Sequence, residues 1–279
     1  MSEPLTIKIA INPEIGHIGG LVLAWHGLFI ALGIAAGVYV AVLMARRKGF
    51  IQEDAFAVAI AAVVGGIIGA RALFAAENWG QIGGFGGVLS VNQGGISVYG
   101  GIIGGIIAGG TYGLWKRMPV WKGLDAGAVG MILGQPIGRI GCVINGEHVG
   151  SPSHLPWAIQ YTNVNSPSFG LGSLQPAAGY EMIGDFLLFG LLLLLSRVAK
   201  KDGVVFGAYA LLYAVLRFGV SFLRLDNEPA LGLRLAQLIA LGFVAGSVLL
   251  FAYLWRAAGG TRVRSGSVLT EGGSRNRNE

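Results

Sequence analysis

Seven separate stretches of this chain are long and apolar enough to cross a bilayer, and that recurrence limits the possible folds more than any other feature. A helix needs about 20 predominantly apolar residues to span the hydrocarbon. Qualifying windows fall at roughly 21–45, 54–75, 96–115, 124–143, 177–196, 204–223 and 231–255. Only helices and closed barrels satisfy their own backbone in lipid. The expected fold is therefore an all-α polytopic membrane protein of about seven transmembrane helices. Only 12% of residues are charged and the mean hydropathy is +0.65, which excludes an ordinary soluble domain.

The basic residues orient these spans. Arg46, Arg47 and Lys48, then Lys116, Arg117 and Lys122, then Arg197, Lys200 and Lys201, and finally the arginines from 256 onward all fall on alternate connections and the tail. Positive connections face the cytoplasm, so the chain is expected to keep its N-terminus outside and its C-terminus inside. The formal charge of +6 would point to nucleic acid in a soluble protein; here its one-sidedness reads as membrane topology, and no nucleic-acid partner is expected. The start of the chain has no basic cap before a short apolar run, so no removable signal peptide is expected. Residues 1–259 read as one membrane-embedded domain with a small extracytoplasmic cap at 144–176. The Gly/Ser-rich stretch 260–279 reads as a disordered cytoplasmic tail.

Against this apolar background the ionisable residues stand out. Lys8 aside, the cations outside the basic clusters are Arg71, Arg139, Arg217, Arg224 and Arg234, all near the expected outer boundary. The four histidines, Glu77, Glu147, Glu181, Asp185, Asp226 and Glu228 lie in the same half. Ionisable groups at bilayer depth are costly and mark function. Arg71 has Glu77 within reach as a salt-bridge partner. Glu181 and Asp185, four apart, share a helical face and repel unless a cation or a proton intervenes.

The densest segment is Gly134-Gln-Pro-Ile-Gly-Arg139-Ile-Gly-Cys-Val-Ile-Asn145-Gly-Glu147-His148-Val-Gly150. Its Pro136 and repeated glycines predict a broken helix lining a cavity. Forty-eight glycines in the whole chain imply either such unwound segments or close helix packing. Arg139 presents a planar fork suited to a phosphate, Asn145 an amide, and Glu147 a group to orient the arginine or take a proton. Arg217 joins from the sixth span, and two arginines from different spans point to an anionic headgroup. Arg224 fits interfacial snorkelling. His26 is able to exchange a proton near neutrality, and Tyr99 completes the polar set. Cys142 reads as a small apolar filler, and His148 and His154 as surface residues of the cap. No metal-ligand spacing and no cofactor or nucleotide fingerprint is visible, so neither metal nor cofactor is expected.

At this point the residues resemble the bacterial prolipoprotein diacylglyceryl transferases along nearly the whole chain. Gly138-Arg-Ile-Gly-Cys-Val-Ile-Asn-Gly-Glu147, followed by Gly150, is similar to that family's signature string. Trp25 and Gly27, Gly69 and Arg71, Gly100 and Gly101, Leu155 through Ala158, Tyr180 with Glu181, and Tyr213 with Arg217 support it. The resemblance implies a plasma-membrane enzyme that moves the diacylglyceryl group of phosphatidylglycerol onto the lipobox cysteine of an exported precursor, forming a thioether and releasing glycerol phosphate. Its partners would be phosphatidylglycerol, prolipoprotein signal peptides and membrane lipids. It further implies catalytic roles for His26, Tyr99, Arg139, Glu147 and Arg217, and substrate contacts from Arg71, Asn145, Gly150, Tyr180, Glu181 and Tyr213.

The chain departs from the family pattern in places. His26 stands where a Tyr is usual, Tyr99 where a His precedes Gly-Gly, and Cys142 where the signature has its first Asn; Gln175 to Glu181 keeps only Pro176, Tyr180 and Glu181 of the family's motif. The first two changes predict a His26–Tyr99 hydrogen-bonded unit across one cleft. Alternatives are a paralogue with another donor or acceptor, a non-catalytic lipid binder, and a transporter. The last needs polar groups along the whole crossing, whereas Asp125 is the main one in the inner halves.

Overall fold

The computed structural model describes residues 6–19, 21–80, 95, 97–225, 229–230 and 233–259. Among the described residues seven helices follow one another: α1 Trp25–Arg47, α2 Gln52–Glu77, α3 Val98–Trp115, α4 Val120–Asn145, α5 Ala177–Val198, α6 Val204–Ser221 and α7 Leu235–Gly259. Six are long and apolar enough to cross a membrane. The exception is α3, where seven glycines in 18 residues dilute the apolar character. The expected tail 260–279, together with Asp226 and Glu228, lies outside the described residues.

Short strands accompany the helices. β1 Ile7–Ile9 pairs in parallel with β4 Ile159–Tyr161, which pairs antiparallel with β5 Ser173–Leu174. β2 Glu14–Ile18 and β3 Leu21–Ala24 form a hairpin that runs directly into α1. β6 Pro229–Ala230 and β7 Leu233–Arg234 make a second hairpin before α7. Two expectations change here. The first apolar window begins as strand, because residues 21–24 pair with 14–18, so α1 starts at Trp25. The cap is a small sheet completed by residues 7–9 from the far end of the sequence.

The expected break in α4 is also corrected, for Pro136 lies inside a helix that continues to Asn145. Its glycines serve approach to a neighbour. A Cβ on Gly37 of α1 would sit 2.9 Å from the Gly130 carbonyl of α4, and one on Gly33 2.5 Å from that of Gly134. Gly65 and Gly69 of α2 meet Gly100 and Gly104 of α3 in the same way. All four helices repeat glycine at a spacing of four. In lipid, where apolar burial gives no drive between helices, such rows let backbones touch and gain dispersion contacts. Outward faces remain apolar and exposed, as with Ile102, Ile103, Ile106 and Ile107 of α3.

The basic end of the bundle is closed by a matched charge cluster. Lys48, just after α1, reaches Asp125 of α4 at 2.7 Å and Asp202 at 3.5 Å. Asp125 is 1% exposed, and its two oxygens accept the backbone N–H of Gly203 at 3.0 Å and Phe206 at 2.9 Å. Gly203 has no side chain to cap α6, so a carboxylate from α4 satisfies those first-turn donors and complements the helix dipole.

Candidate active site

At the opposite, capped end, three guanidiniums converge on one carboxylate. Glu181, just past the first turn of α5, is fully buried. Its Oε2 lies 3.0 Å from Nη2 of Arg139 on α4 and 3.5 Å from Nη1 of Arg224, and its Oε1 accepts a hydrogen bond from Arg217 on α6. Asp185 follows one turn along α5, 1% exposed, with Oδ1 lacking a partner among the described residues. Among the described residues, three guanidiniums and two carboxylates make up this cluster. Guanidiniums at bilayer depth are costly and suit an anion.

Arg224 overturns the snorkelling expectation, being 3% exposed and in contact with His148 as well as Glu181. His148 is correspondingly part of this cluster and not a surface residue of the cap; it takes a left-handed backbone at φ +56°. His154 is exposed, as expected.

Beside the arginines lies a second group. His26 opens α1, and its Nδ1 is 3.0 Å from Oε2 of Glu147 and 3.5 Å from Sγ of Cys142. Cys142, on the last turns of α4, has Nη1 of Arg139 at 4.0 Å. The filler reading of Cys142 is therefore corrected: an imidazole and a guanidinium flank it. Asn145 donates from Nδ2 to Oε1 of Glu147 at 3.1 Å, while its own Oδ1 is buried without a partner among the described residues. Burial disfavours the Glu147 carboxylate, but hydrogen bonds from His26 and Asn145 outweigh it and hold its pKa below the usual glutamate range.

The helix end delivers these residues. α4 stops at Gly146, φ +82°, where the N–H groups of residues 146 and 147 both donate to the Cys142 carbonyl at 3.0 Å. Ser166 and Ser168 of the cap bond the carbonyls of Asn145 and Gly146 at 2.8 and 2.6 Å, and the Tyr161 hydroxyl bonds that of Val143 at 2.7 Å.

Other predicted site residues take distinct places. Gly150 is needed for packing: its N–H donates to Gln175, and an added Cβ would stand 2.8 Å from the Leu223 carbonyl. Tyr180 receives the indole N–H of Trp157 at 2.7 Å. Tyr213 stacks on Tyr209, whose hydroxyl accepts from Gln135. Arg71 donates to the Gly95 carbonyl at 2.8 Å and lies over Phe74. Tyr99 is 43% exposed on the first turn of α3, and among the described residues it shares no hydrogen bond with His26. The expected His–Tyr unit gives way to a His26–Cys142–Glu147 group, because the Gly141 face of α4 packs directly on the backbone of Trp25 and His26.

Fold and site together define a multi-pass helical membrane protein with guanidinium groups clustered under a capped end. A family model described as prolipoprotein diacylglyceryl transferase matches residues 13–253. The chain is 35% identical over 236 residues to the phosphatidylglycerol--prolipoprotein diacylglyceryl transferase of Clostridioides difficile, covering 84% of this chain and 92% of that relative. For the proteins of the same name from Finegoldia magna and Dehalococcoides mccartyi the values are 34% over 233 residues (83% and 91%) and 32% over 257 residues (89% and 96%). The chain belongs to the prolipoprotein diacylglyceryl transferase family, and it is a transferase.

Proposed function

We propose that this protein transfers the diacylglyceryl group of phosphatidylglycerol to the lipobox cysteine thiol of exported prolipoproteins. The observation that carries this reading is the convergence of Arg139, Arg217 and Arg224 from different elements on Glu181. In this reading Arg139 and Arg217 hold the lipid phosphate. The incoming thiol sulfur bonds the glyceryl carbon, the carbon–oxygen bond to phosphate breaks, and its electron pair leaves with glycerol phosphate. Charge growing on that leaving group meets preorganised guanidiniums in a water-poor setting, where they count most. The thiol must lose its proton, and the His26–Glu147 pair at 3.0 Å is the acceptor in reach of the same region.

Orientation follows from the one-sided basic residues: the capped end is extracytoplasmic, the basic end cytoplasmic, and the protein resides in a bacterial plasma membrane. That side is where an exported precursor presents its cysteine. Purified protein reconstituted with phosphatidylglycerol and a lipobox peptide tests the reaction. The expected result is thioether-linked peptide and glycerol phosphate in equal amounts; lipid binding without either product rejects it.

A further inference from the structure

The geometry points to a binding site for one thiophilic divalent cation, of the zinc class, formed by His26, Cys142 and Glu147. Two of these residues, His26 and Cys142, are 116 positions apart in sequence and meet only because α1 and α4 pack through glycine. One ligand atom from each residue, a ring nitrogen, a sulfur and a carboxylate oxygen, lies within 4.8 Å of the others.

The nitrogen–sulfur spacing matches that of two ligands on one ion, and the nitrogen–oxygen spacing needs to open by a few tenths of an ångström. With metal–sulfur near 2.3 Å and metal–nitrogen near 2.0–2.1 Å at tetrahedral angles, sulfur and nitrogen stand about 3.5 Å apart. Nδ1 and Sγ are 3.5 Å apart, and Nδ1 and the carboxylate oxygen 3.0 Å. Nitrogen, sulfur and oxygen from single residues of three types suit zinc and its neighbours better than magnesium or calcium, which favour all-oxygen shells.

Charge also fits. A thiolate and the Glu147 carboxylate together balance a divalent ion, so the loaded site is itself neutral. Arg139 is the one guanidinium in contact with the sulfur, and it is already engaged with Glu181. A supporting contact exists as well, since Asn145 fixes the second oxygen of Glu147 at 3.1 Å, as outer partners of metal ligands do. The side chains of His26 and Glu147 remain 30% and 28% exposed, which leaves the ion a route in. On binding, the thiol proton leaves to solvent and the imidazole proton moves to Nε2, freeing Nδ1 as donor of its electron pair.

The claim concerns binding at residues that the proposed transfer also uses, and its test reads the ion and not turnover. Full-length protein in detergent, stripped with chelator and titrated with Co²⁺, should bind one ion per chain with a thiolate-to-cobalt charge-transfer band in the near ultraviolet. Zinc should bleach it. Cys142→Ala should abolish the band, and Asn145→Ala should weaken binding about 10-fold. The exposed His17–Glu14 pair is a competing surface ligand set, so His17→Ala should leave the titration unchanged. Circular dichroism of each variant separates lost binding from lost fold. Absence of the band in folded wild-type protein, or its survival in folded Cys142→Ala, overturns the site.

Discussion

The two ends of the bundle both bury charge, and they do so in opposite ways. At the basic end one lysine faces two aspartates, and the oxygens of Asp125 are filled by Lys48 and two backbone N–H groups. At the capped end three arginines share Glu181, while Asp185 and Asn145 each keep an acceptor without a partner among the described residues. A cluster whose bonds close on themselves gains nothing from a ligand. One left with idle acceptors does, and that contrast separates scaffold from candidate active site more sharply than burial, which is near complete for Asp125 and Glu181 alike.

The comparison breaks first at Arg217. Arg217→Ala should lower transfer about 100- to 1,000-fold, the usual cost of deleting one preorganised donor to a developing anion. Product formation by protein with unchanged helical circular dichroism checks it, and near-normal turnover would mean that the arginine cluster is not what distinguishes the capped end. At the other end, Asp125→Ala should destabilise by about 3 kcal/mol, since it strips α6 of its cap and leaves Lys48 with Asp202 alone. Denaturation in detergent should show that loss, with transfer per folded molecule at the wild-type level. A fall in turnover of the folded variant would show the ends to be coupled.

Two smaller effects sharpen the picture. Tyr161→Phe removes one bond to the Val143 carbonyl and should cost about 1 kcal/mol in the same denaturation measurement. The Glu147 carboxylate is held below its usual range, so its contribution is present above the ordinary glutamate pKa of about 4.3 and is lost only as pH falls through the lower folded value. Asn145→Ala removes one of the bonds that depress it. The acid limb of the transfer–pH profile should therefore begin at higher pH in that variant; an unmoved limb would detach Glu147 from it.

The helices were legible because hydropathy needs no partner to be read: the windows at 177–196 and 204–223 lie within two residues of α5 and α6. Arg139, Arg217 and Glu181 stood out for a similar reason, as charges where lipid should be. Arg224 and His148 did not, since each has an ordinary surface explanation until the chain folds His148 back in a left-handed turn. Cys142 looked inert because His26 comes beside it only through the packing of α1 on α4. Pro136 misled for a physical reason too: a proline ends a helix only when the freed carbonyl and the ring lack room, and a glycine-rich neighbourhood supplies it. The cap sheet was illegible, its strands being two or three residues long and contributed by segments some 150 positions apart.

Gly146 carries a consequence for how this end of the molecule tolerates change. Its φ of +82° turns the chain out of α4 so that the next two residues fold back, one toward His26 and the other toward Arg224. Any L side chain there meets Ser166 and the Tyr161 ring, and it enters a conformation that costs about 1–2 kcal/mol in itself. The alignment of acid, imidazole and guanidinium thus depends on the chirality permitted at a single α-carbon, some distance in sequence from most of the groups it brings into register.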